Sequence, residues 1–263
     1  MNIRATAIIA AGLAFFAAAA QAKLVEKAVA YEHDGTKLSG FLVYDDAKAG
    51  PRPGVLVVHE WWGLNDYTKN RARQLASMGY VAFAADMFGE GKVTRDVKLA
   101  QQWYGEATSK PGLLATRSKA GLDILRAQPQ TDKAHLAAIG FCFGGTTVLS
   151  LAYSGEPLQA TVGFHAGLVP PDDAQVKQIK SPILILHGAE DTFTKPEVIA
   201  AVRTKLDSVP NLDWYMVEYA HAVHAFSNPD ADSYKIPGIG YNEKAARRSW
   251  DEMQRFFKEQ LTK

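Results

Sequence analysis

Short apolar segments alternate with longer amphipathic segments along most of the chain. The short segments are apolar at nearly every position and rich in β-branched residues, which is typical of strands buried on both faces of a parallel sheet. Strands are predicted over 54–58, 80–85, 135–140, 160–164, 183–186 and 213–218. The longer segments have the apolar spacing of helices, which are predicted over 66–78, 96–104, 113–128, 145–153, 196–206 and 242–260.

Two further apolar segments, 27–33 and 37–44, precede this alternation. The residues between them include Asp34 and Gly35, which tolerate positive φ angles, so the two segments are predicted to form an antiparallel hairpin. A hairpin followed by alternating strands and helices predicts an α/β fold with a mostly parallel central sheet and helices on both faces. In such a sheet, catalytic side chains are expected at the carboxyl ends of the strands.

Residues 1–22 have a different composition from the rest of the chain. A basic start that includes Arg4 precedes an unbroken apolar segment from Ala5 to Ala20, and the small residues Ala20 and Ala22 fit a signal-peptidase site. A membrane anchor is the alternative, but the segment is shorter than the roughly 20 apolar residues that a span needs. We therefore expect a secretory signal peptide that is removed after Ala22, and a periplasmic or secreted product.

The remaining chain, 23–263, is predicted to fold as a single domain and to be a monomer. The formal net charge of the whole chain, +1, gives no basic surface of the kind that binds nucleic acid. No later segment is apolar enough to cross a bilayer, so no membrane contact is expected after signal removal. Neither the histidine spacing nor the single cysteine indicates a metal site, and no glycine-rich phosphate loop indicates a cofactor.

The single cysteine, Cys142, is the centre of a Gly-Phe-Cys-Phe-Gly segment at 140–144, between a predicted strand and a predicted helix. This is the G-x-S-x-G nucleophile turn with cysteine in place of serine. A sharp turn requires Gly140 and Gly144, because side chains there would clash, and it exposes the central residue above the sheet edge. The start of the helix also favours the thiolate. The alternative is an inert, buried cysteine beside packing glycines.

Two carboxylates and two histidines follow later strands. Glu190 and Asp191 lie in the polar turn after the strand at 183–186, and only one of them can point toward a histidine. Asp191 is the favoured acid, although aspartate in such a turn often only caps it. His221 and His224 follow the strand at 213–218. The order nucleophile, acid, histidine is that of the α/β-hydrolases, and either histidine satisfies it.

With these motifs, the chain resembles the dienelactone hydrolase (carboxymethylenebutenolidase) family of α/β-hydrolases from the first hairpin to the last helix. The resemblance is carried by HEWWG at 59–63, GFCFGG at 140–145, HGAED at 187–191 and HAF at 224–226. It implies that His224 is the catalytic histidine. It also implies that Glu60 contacts the resting thiol and helps to generate the thiolate, and that the backbone N–H groups of Trp61 and Phe143 form the oxyanion hole.

The chain departs from this family at the two arginines that hold the substrate carboxylate in dienelactone hydrolases. The first region reads DMFGE at 86–90, and Asn228 occupies the second position. The resemblance therefore does not imply the substrate after which the family is named. A second departure is the predicted signal peptide, since the catabolic members of the family are cytoplasmic.

Together, these residues predict a hydrolase that cleaves an ester or lactone of small size. Cys142 attacks the carbonyl, His224 transfers the proton, and Asp191 orients the imidazole. Esters and lactones are favoured over amides, because sulfur is expelled from the intermediate more readily than an unprotonated amine. Trp62 is predicted to line the substrate pocket. The alternative is a catalytically silent binding protein on the same scaffold.

Overall fold

The structure, a computed structural model, describes residues 23–261. The predicted signal peptide, 1–22, lies outside the described residues, so it stays a prediction. Among the described residues, no helix is both long enough and apolar enough to span a bilayer. Within the same range, no three histidine, cysteine or carboxylate side chains are grouped in a way that could hold a metal ion.

Eight strands of the described chain form one sheet. They are β1 (Leu24–His33), β2 (Thr36–Asp45), β3 (Arg52–Val58), β4 (Val81–Ala85), β5 (Thr131–Phe141), β6 (Ala160–Phe164), β7 (Ile183–Gly188) and β8 (Trp214–Tyr219). Their order across the sheet is β1-β2-β4-β3-β5-β6-β7-β8. β2 is antiparallel to β1 and β4, and all other neighbours are parallel. The predicted α/β-hydrolase fold, with its N-terminal antiparallel hairpin and mostly parallel sheet, is confirmed.

The hairpin turn has the local chemistry that the sequence indicates. His33 pairs with Thr36, so only Asp34 and Gly35 lie between the two strands. Their φ angles are 48° and 70°. Two consecutive positive φ angles match the right-handed twist of the flanking strands, and this fixes the register of the pair.

Seven α-helices and one short 3₁₀ helix are described. They are α1 (Asp66–Ser77), α2 (Val97–Thr108), α3 (Leu113–Arg126), α4 (Phe143–Tyr153), α5 (Asp173–Val176), α6 (Pro196–Asp207), α7 (Glu243–Gln260) and the 3₁₀ helix Ala231–Tyr234. The side chains of Asn65, Asp96 and Asn242 accept backbone N–H groups at the starts of α1, α2 and α7. Such caps satisfy donors that the first helical turn leaves unpaired. The apolar pattern did not predict α5 or the 3₁₀ helix.

The helices cover both faces of the sheet, as successive residues of β3 show. Val55 and Val57 belong to a core cluster that includes residues of α1 and α7. Leu56 and Val58 belong to another cluster, which includes residues of α3 and α4. Because side chains alternate between the faces of a strand, a strand covered on both sides must be apolar throughout. This explains the unbroken apolar segments of the sequence.

The parallel strands end along one edge of the sheet, where the predicted site residues lie. Glu60 follows β3, Cys142 follows β5, Asp191 follows β7 and His224 follows β8. The fold therefore places residues that are far apart in sequence at a common edge, as expected for parallel strands.

Candidate active site

Cys142 lies in the turn between β5 and α4, with a φ of 54°. Residues with a side chain rarely adopt this left-handed region. A Cβ atom on Gly140 would lie 2.0 Å from the carbonyl oxygen of Gly144, and a Cβ on Gly144 would lie 2.1 Å from that of Val58. Both glycines are therefore needed for the chain to close the turn.

His224 and Asp191 form a buried pair beside Cys142. Nδ1 of His224 donates to Oδ2 of Asp191 at 2.7 Å, and Oδ1 of Asp191 accepts the N–H of Phe193 at 2.9 Å. Because Nδ1 is engaged, the other ring nitrogen is left for the pocket, which His224 and Cys142 both line. The structure thus brings together the nucleophile, acid and histidine candidates of the sequence.

The electrostatic surroundings of His224 favour its charged form. Burial lowers the pKa of this ring, but the charge interaction with Cys142 and the hydrogen bond to Asp191 outweigh burial and raise the pKa to about 10. The acid candidate and the nucleophile candidate therefore both favour a proton on this ring.

The competing residues, His221 and Glu190, form a separate pair at the surface. Nδ1 of His221 lies 3.0 Å from Oε1 of Glu190, and their side chains are 87% and 57% exposed. The side chains of His224 and Asp191 are 6% and 0% exposed. Solvent weakens an exposed ion pair. The structure therefore separates the two alternatives that the order of residues left open.

His165, directly after β6, is a residue that the sequence did not single out. The backbone N–H of Cys142 donates to Nδ1 of His165 at 3.1 Å as well as to the carbonyl of Phe164 at 3.0 Å. Nδ1 is thus an acceptor, so Nε2 carries the proton and donates to Oγ of Ser227 at 2.8 Å. Burial, followed by the charge of His224, holds the pKa of His165 well below its usual value. A neutral ring therefore joins the nucleophile turn to the loop that carries His224.

The hydroxyl of Ser227 also lies 2.8 Å from the phenol oxygen of Tyr67, so it is a shared partner of two buried groups. We expect Ser227→Ala to lower the free energy of unfolding by about 1–3 kcal/mol, because a buried donor is left without an acceptor. Ser249→Ala is the matched control: Ser249 is equally buried, but its hydroxyl only donates to a carbonyl of its own helix. Urea denaturation curves of both variants measure the difference. Equal destabilisation of the two variants would show that the hydrogen bonds of Ser227 to His165 and Tyr67 add no stability.

Glu60 is buried directly after β3. The resemblance implied that Glu60 contacts the Cys142 thiol. In the structure, its carboxylate accepts a hydrogen bond from Nδ2 of Asn228 at 2.6 Å. Asn228 occupies the second of the two unmatched arginine positions. Burial raises the pKa of Glu60 to about 7, although the Asn228 hydrogen bond and the charge of His224 oppose the change. An amide partner thus leaves this carboxyl able to change its protonation near neutral pH.

The raised pKa of Glu60 predicts a pH-dependent stability. Between its ordinary pKa of 4.5 and the raised value of about 7, the folded chain holds a proton that the unfolded chain has released. Stability therefore falls as the pH rises through this window. Glu60→Gln removes the cost of ionising this buried carboxyl. The change in unfolding free energy that the substitution causes should therefore be more favourable at pH 8 than at pH 5, by up to about 3 kcal/mol. Denaturation at both pH values measures it, with exposed Glu197→Gln as a charge control. The same effect at both pH values would contradict the prediction.

The backbone N–H groups of Trp61 and Phe143 have no hydrogen-bond acceptor among residues 23–261. Phe143 is the first residue of α4, where N–H groups have no partner within the helix. Both residues line the pocket that contains Cys142. The pocket wall therefore includes two residues with unpaired backbone donors.

This pocket has a volume of about 320 Å³, and its surface is mainly apolar. It is lined by Trp61, Gln101, Tyr104, Cys142, Phe143, Thr146, Gly167, Phe193, His224 and Ile239. Trp62, predicted to line it, is not part of this wall: its ring is buried and stacks on Tyr234 with 4.2 Å between centroids. Its neighbour Trp61 contributes to the wall in its place.

The sheet, the glycine-flanked turn after β5, and the acid and histidine after β7 and β8 together define a protein of the α/β-hydrolase class. Comparison with protein families narrows this class, because the model of the dienelactone hydrolase family matches residues 38–261. The chain belongs to the dienelactone hydrolase family, and it is a carboxylic ester or lactone hydrolase with a small-molecule substrate. This favours an enzyme over the silent binding protein.

Individual relatives match over nearly their whole length. A protein of Saccharolobus solfataricus, provisionally named carboxymethylenebutenolidase, is 28% identical over 269 residues, which is 89% of this chain and 98% of that protein. The solved structure called m3DLH is 38% identical, with a TM-score of 0.87 over 91% of this chain and 99% of its own. A dienelactone hydrolase-like promiscuous phosphotriesterase from metagenomic libraries is 40% identical, with a TM-score of 0.88 over 92% and 100% of the two chains.

Proposed function

We propose that this protein hydrolyses an ester or lactone through a Cys142–His224–Asp191 triad and a thioester intermediate. The observation that carries the proposal is the position of the His224 ring, which is hydrogen-bonded to Asp191 and lines the same pocket as Cys142. An imidazole held in this way can exchange a proton with the reacting groups without moving.

In the first half of the reaction, the Cys142 thiolate forms a bond to the acyl carbon, and the carbon–oxygen bond of the leaving group breaks. The imidazolium of His224 gives its proton to the departing alkoxide, which leaves as an alcohol. Asp191 fixes the ring orientation and stabilises its positive charge. In the second half, His224 takes a proton from water as the water attacks the thioester. The acid is released, and the thiolate and imidazolium are restored.

The negative oxygen that develops on the acyl carbon needs donors that are already in place. The unpaired backbone N–H groups of Trp61 and Phe143 fit this role, because both residues line the Cys142 pocket. Removing one oxyanion donor in comparable enzymes costs on the order of 10²–10³ in rate. We propose that Glu60, a buried carboxylate, takes the proton of the resting Cys142 thiol and passes it to His224, which forms the thiolate and imidazolium that begin the reaction.

The test is to trap the acyl-enzyme. A p-nitrophenyl ester with a hindered acyl group, such as trimethylacetate, should give a burst of p-nitrophenol, because water attacks the hindered thioester slowly. After acid quenching, mass spectrometry should find one acyl group on the peptide that contains Cys142, removable by neutral hydroxylamine. Acylation of a different residue during turnover would refute the mechanism.

A second candidate activity is the hydrolysis of neutral phosphotriesters. It is favoured by the 40% identity with the promiscuous phosphotriesterase and by a pocket wall without lysine, arginine or carboxylate side chains. Release of p-nitrophenol from paraoxon, compared with buffer alone, tests this activity. A negative result would remove this candidate and leave ester hydrolysis unaffected.

A further inference from the structure

We propose that the pocket selects uncharged esters with a small apolar or aromatic group, and that Gln101 is the position that sets this selection by charge. The inference rests on the proposed function, because it concerns the substrate of the same Cys142 site. It depends on the chemistry of the pocket wall and on the location of the nearby charged groups.

Aromatic rings of the wall remain open to solvent. Phe193 is 54% exposed although its ring lies 4.9 Å from that of His224. Tyr104 is 42% exposed and packs edge-on against Phe143 at 5.7 Å. Large apolar side chains that are open to water beside a reactive site gain free energy when an apolar ligand covers them. The wall therefore favours a flat, apolar part of the substrate.

Apart from Cys142 and His224, the polar side chains of the wall are few and uncharged. The hydroxyl of Thr146 already donates to the carbonyl of Gly167 at 2.7 Å. Gln101, by contrast, makes no side-chain hydrogen bond to any described residue, and it lies on α2 one helical turn before Tyr104. Its amide is therefore a neutral polar group of the wall that is available to a substrate.

Arginines around the site are engaged outside the pocket and do not line it. The region of the first unmatched arginine, 86–90, begins at Asp86. The carboxylate of Asp86 accepts backbone N–H groups. The arginines are bound as follows: Arg71 to the carbonyl of Ser227, Arg95 to the hydroxyl of Ser233, and Arg117 to the carbonyl of Met87.

A substrate carboxylate would therefore lose water in this pocket without gaining a cationic partner. Such desolvation is unfavourable unless a charge or hydrogen-bond donors compensate it. His224 does not compensate, because its Nδ1 already donates to the Asp191 carboxylate at 2.7 Å. An uncharged ester has no such penalty, so the wall should discriminate by charge as well as by shape.

The test compares 3-acetoxybenzoate with its methyl ester, each rate being divided by the rate of hydrolysis by hydroxide. Both are acetyl esters of a substituted phenol, and they differ in one negative charge and one methyl group. Release of the phenol is followed for both, so that cleavage of the methyl ester is not counted. We expect the kcat/KM of the natural protein to favour the methyl ester by about 100-fold after this correction. Equal corrected values would overturn the proposal while the proposed ester hydrolysis would stand. Hydrolysis of neither ester, together with no acylation of Cys142, would remove both.

A pair of variants tests the role of Gln101. Gln101→Arg places a cation on the pocket wall, and it should raise the kcat/KM for 3-acetoxybenzoate about tenfold relative to the methyl ester. Gln102→Arg is the matched control, since it adds the same charge to the same helix at an exposed residue that bonds Glu106 and does not line the pocket. Its preference should equal that of the natural protein. An equal change in both variants would assign the effect to overall charge and overturn the role of Gln101.

Discussion

The Cys142→Ala protein is expected to hydrolyse p-nitrophenyl acetate with a kcat/KM at least about 10⁴-fold below that of the natural chain. Without sulfur no thioester can form, and the remaining groups can only help water to attack directly. Alanine keeps a Cβ atom at the same backbone position, so the turn should close as before. The variant should therefore fold with a stability within about 1 kcal/mol of the natural protein.

The composition of the chain makes this prediction easy to check. Cys142 is the only cysteine of the sequence, so iodoacetamide can alkylate only this thiol. Loss of activity should follow the extent of alkylation in the natural protein, and a bound competitive ligand should slow both. A Cys142→Ala protein that is folded and retains most of the activity would show that the chemistry uses another nucleophile.

Much of the fold and the main reactive residues could be predicted, because local signals and the overall fold agree. The buried strands are marked by apolar segments, and their carboxyl ends carry Cys142, Asp191 and His224. The glycines at 140 and 144 indicate the sharp turn directly, since only a residue without a side chain fits there. These features depend on residues close in sequence, which pattern analysis detects.

His165 could not be assigned a role in the same way, although it also follows a buried strand. Its position after β6 is the same signal that identified Asp191 after β7. Its partners, however, are a backbone N–H of the nucleophile turn and the hydroxyl of Ser227, which is 62 residues further along the chain. Only the folded chain brings these groups together. From the sequence alone, a histidine at a strand end is equally consistent with a packing role and with a role at the site.

The pocket was the least predictable part, because it depends on how loops and helices lie over the sheet. Trp61 and Trp62 are neighbours on one turn, and the sequence does not say which ring faces the pocket. Stacking on Tyr234, at the end of a 3₁₀ helix that the apolar pattern did not indicate, buries Trp62. Gln101 belongs to the pocket only because of where α2 is placed.

The start of α4 also differs from the prediction. The helix begins at Phe143 rather than at Gly145, because the chain turns sharply at Cys142, as its φ shows.

Asp191→Asn is expected to lower kcat/KM by about 10³–10⁴-fold at neutral pH. An asparagine amide can donate to Nδ1 of His224, which would favour the ring tautomer with its proton on the nitrogen that faces Cys142. The variant also loses one of the interactions that raise the pKa of His224. His224 should therefore lose its proton at a lower pH. The basic limb of the profile of kcat/KM against pH should shift to lower pH. Steady-state kinetics over a range of pH measure both effects.

Glu190→Gln is the matched control for this variant, because the same class of change is made one residue earlier in the same turn. Glu190 is exposed and pairs with exposed His221, so its loss removes a weak surface interaction and leaves the buried His224 ring in place. Its kcat/KM should stay within about threefold of the natural value. If Glu190→Gln were as damaging as Asp191→Asn, the exposed pair would have to take part in the reaction. The assignment of the acid to the buried carboxylate would then be wrong.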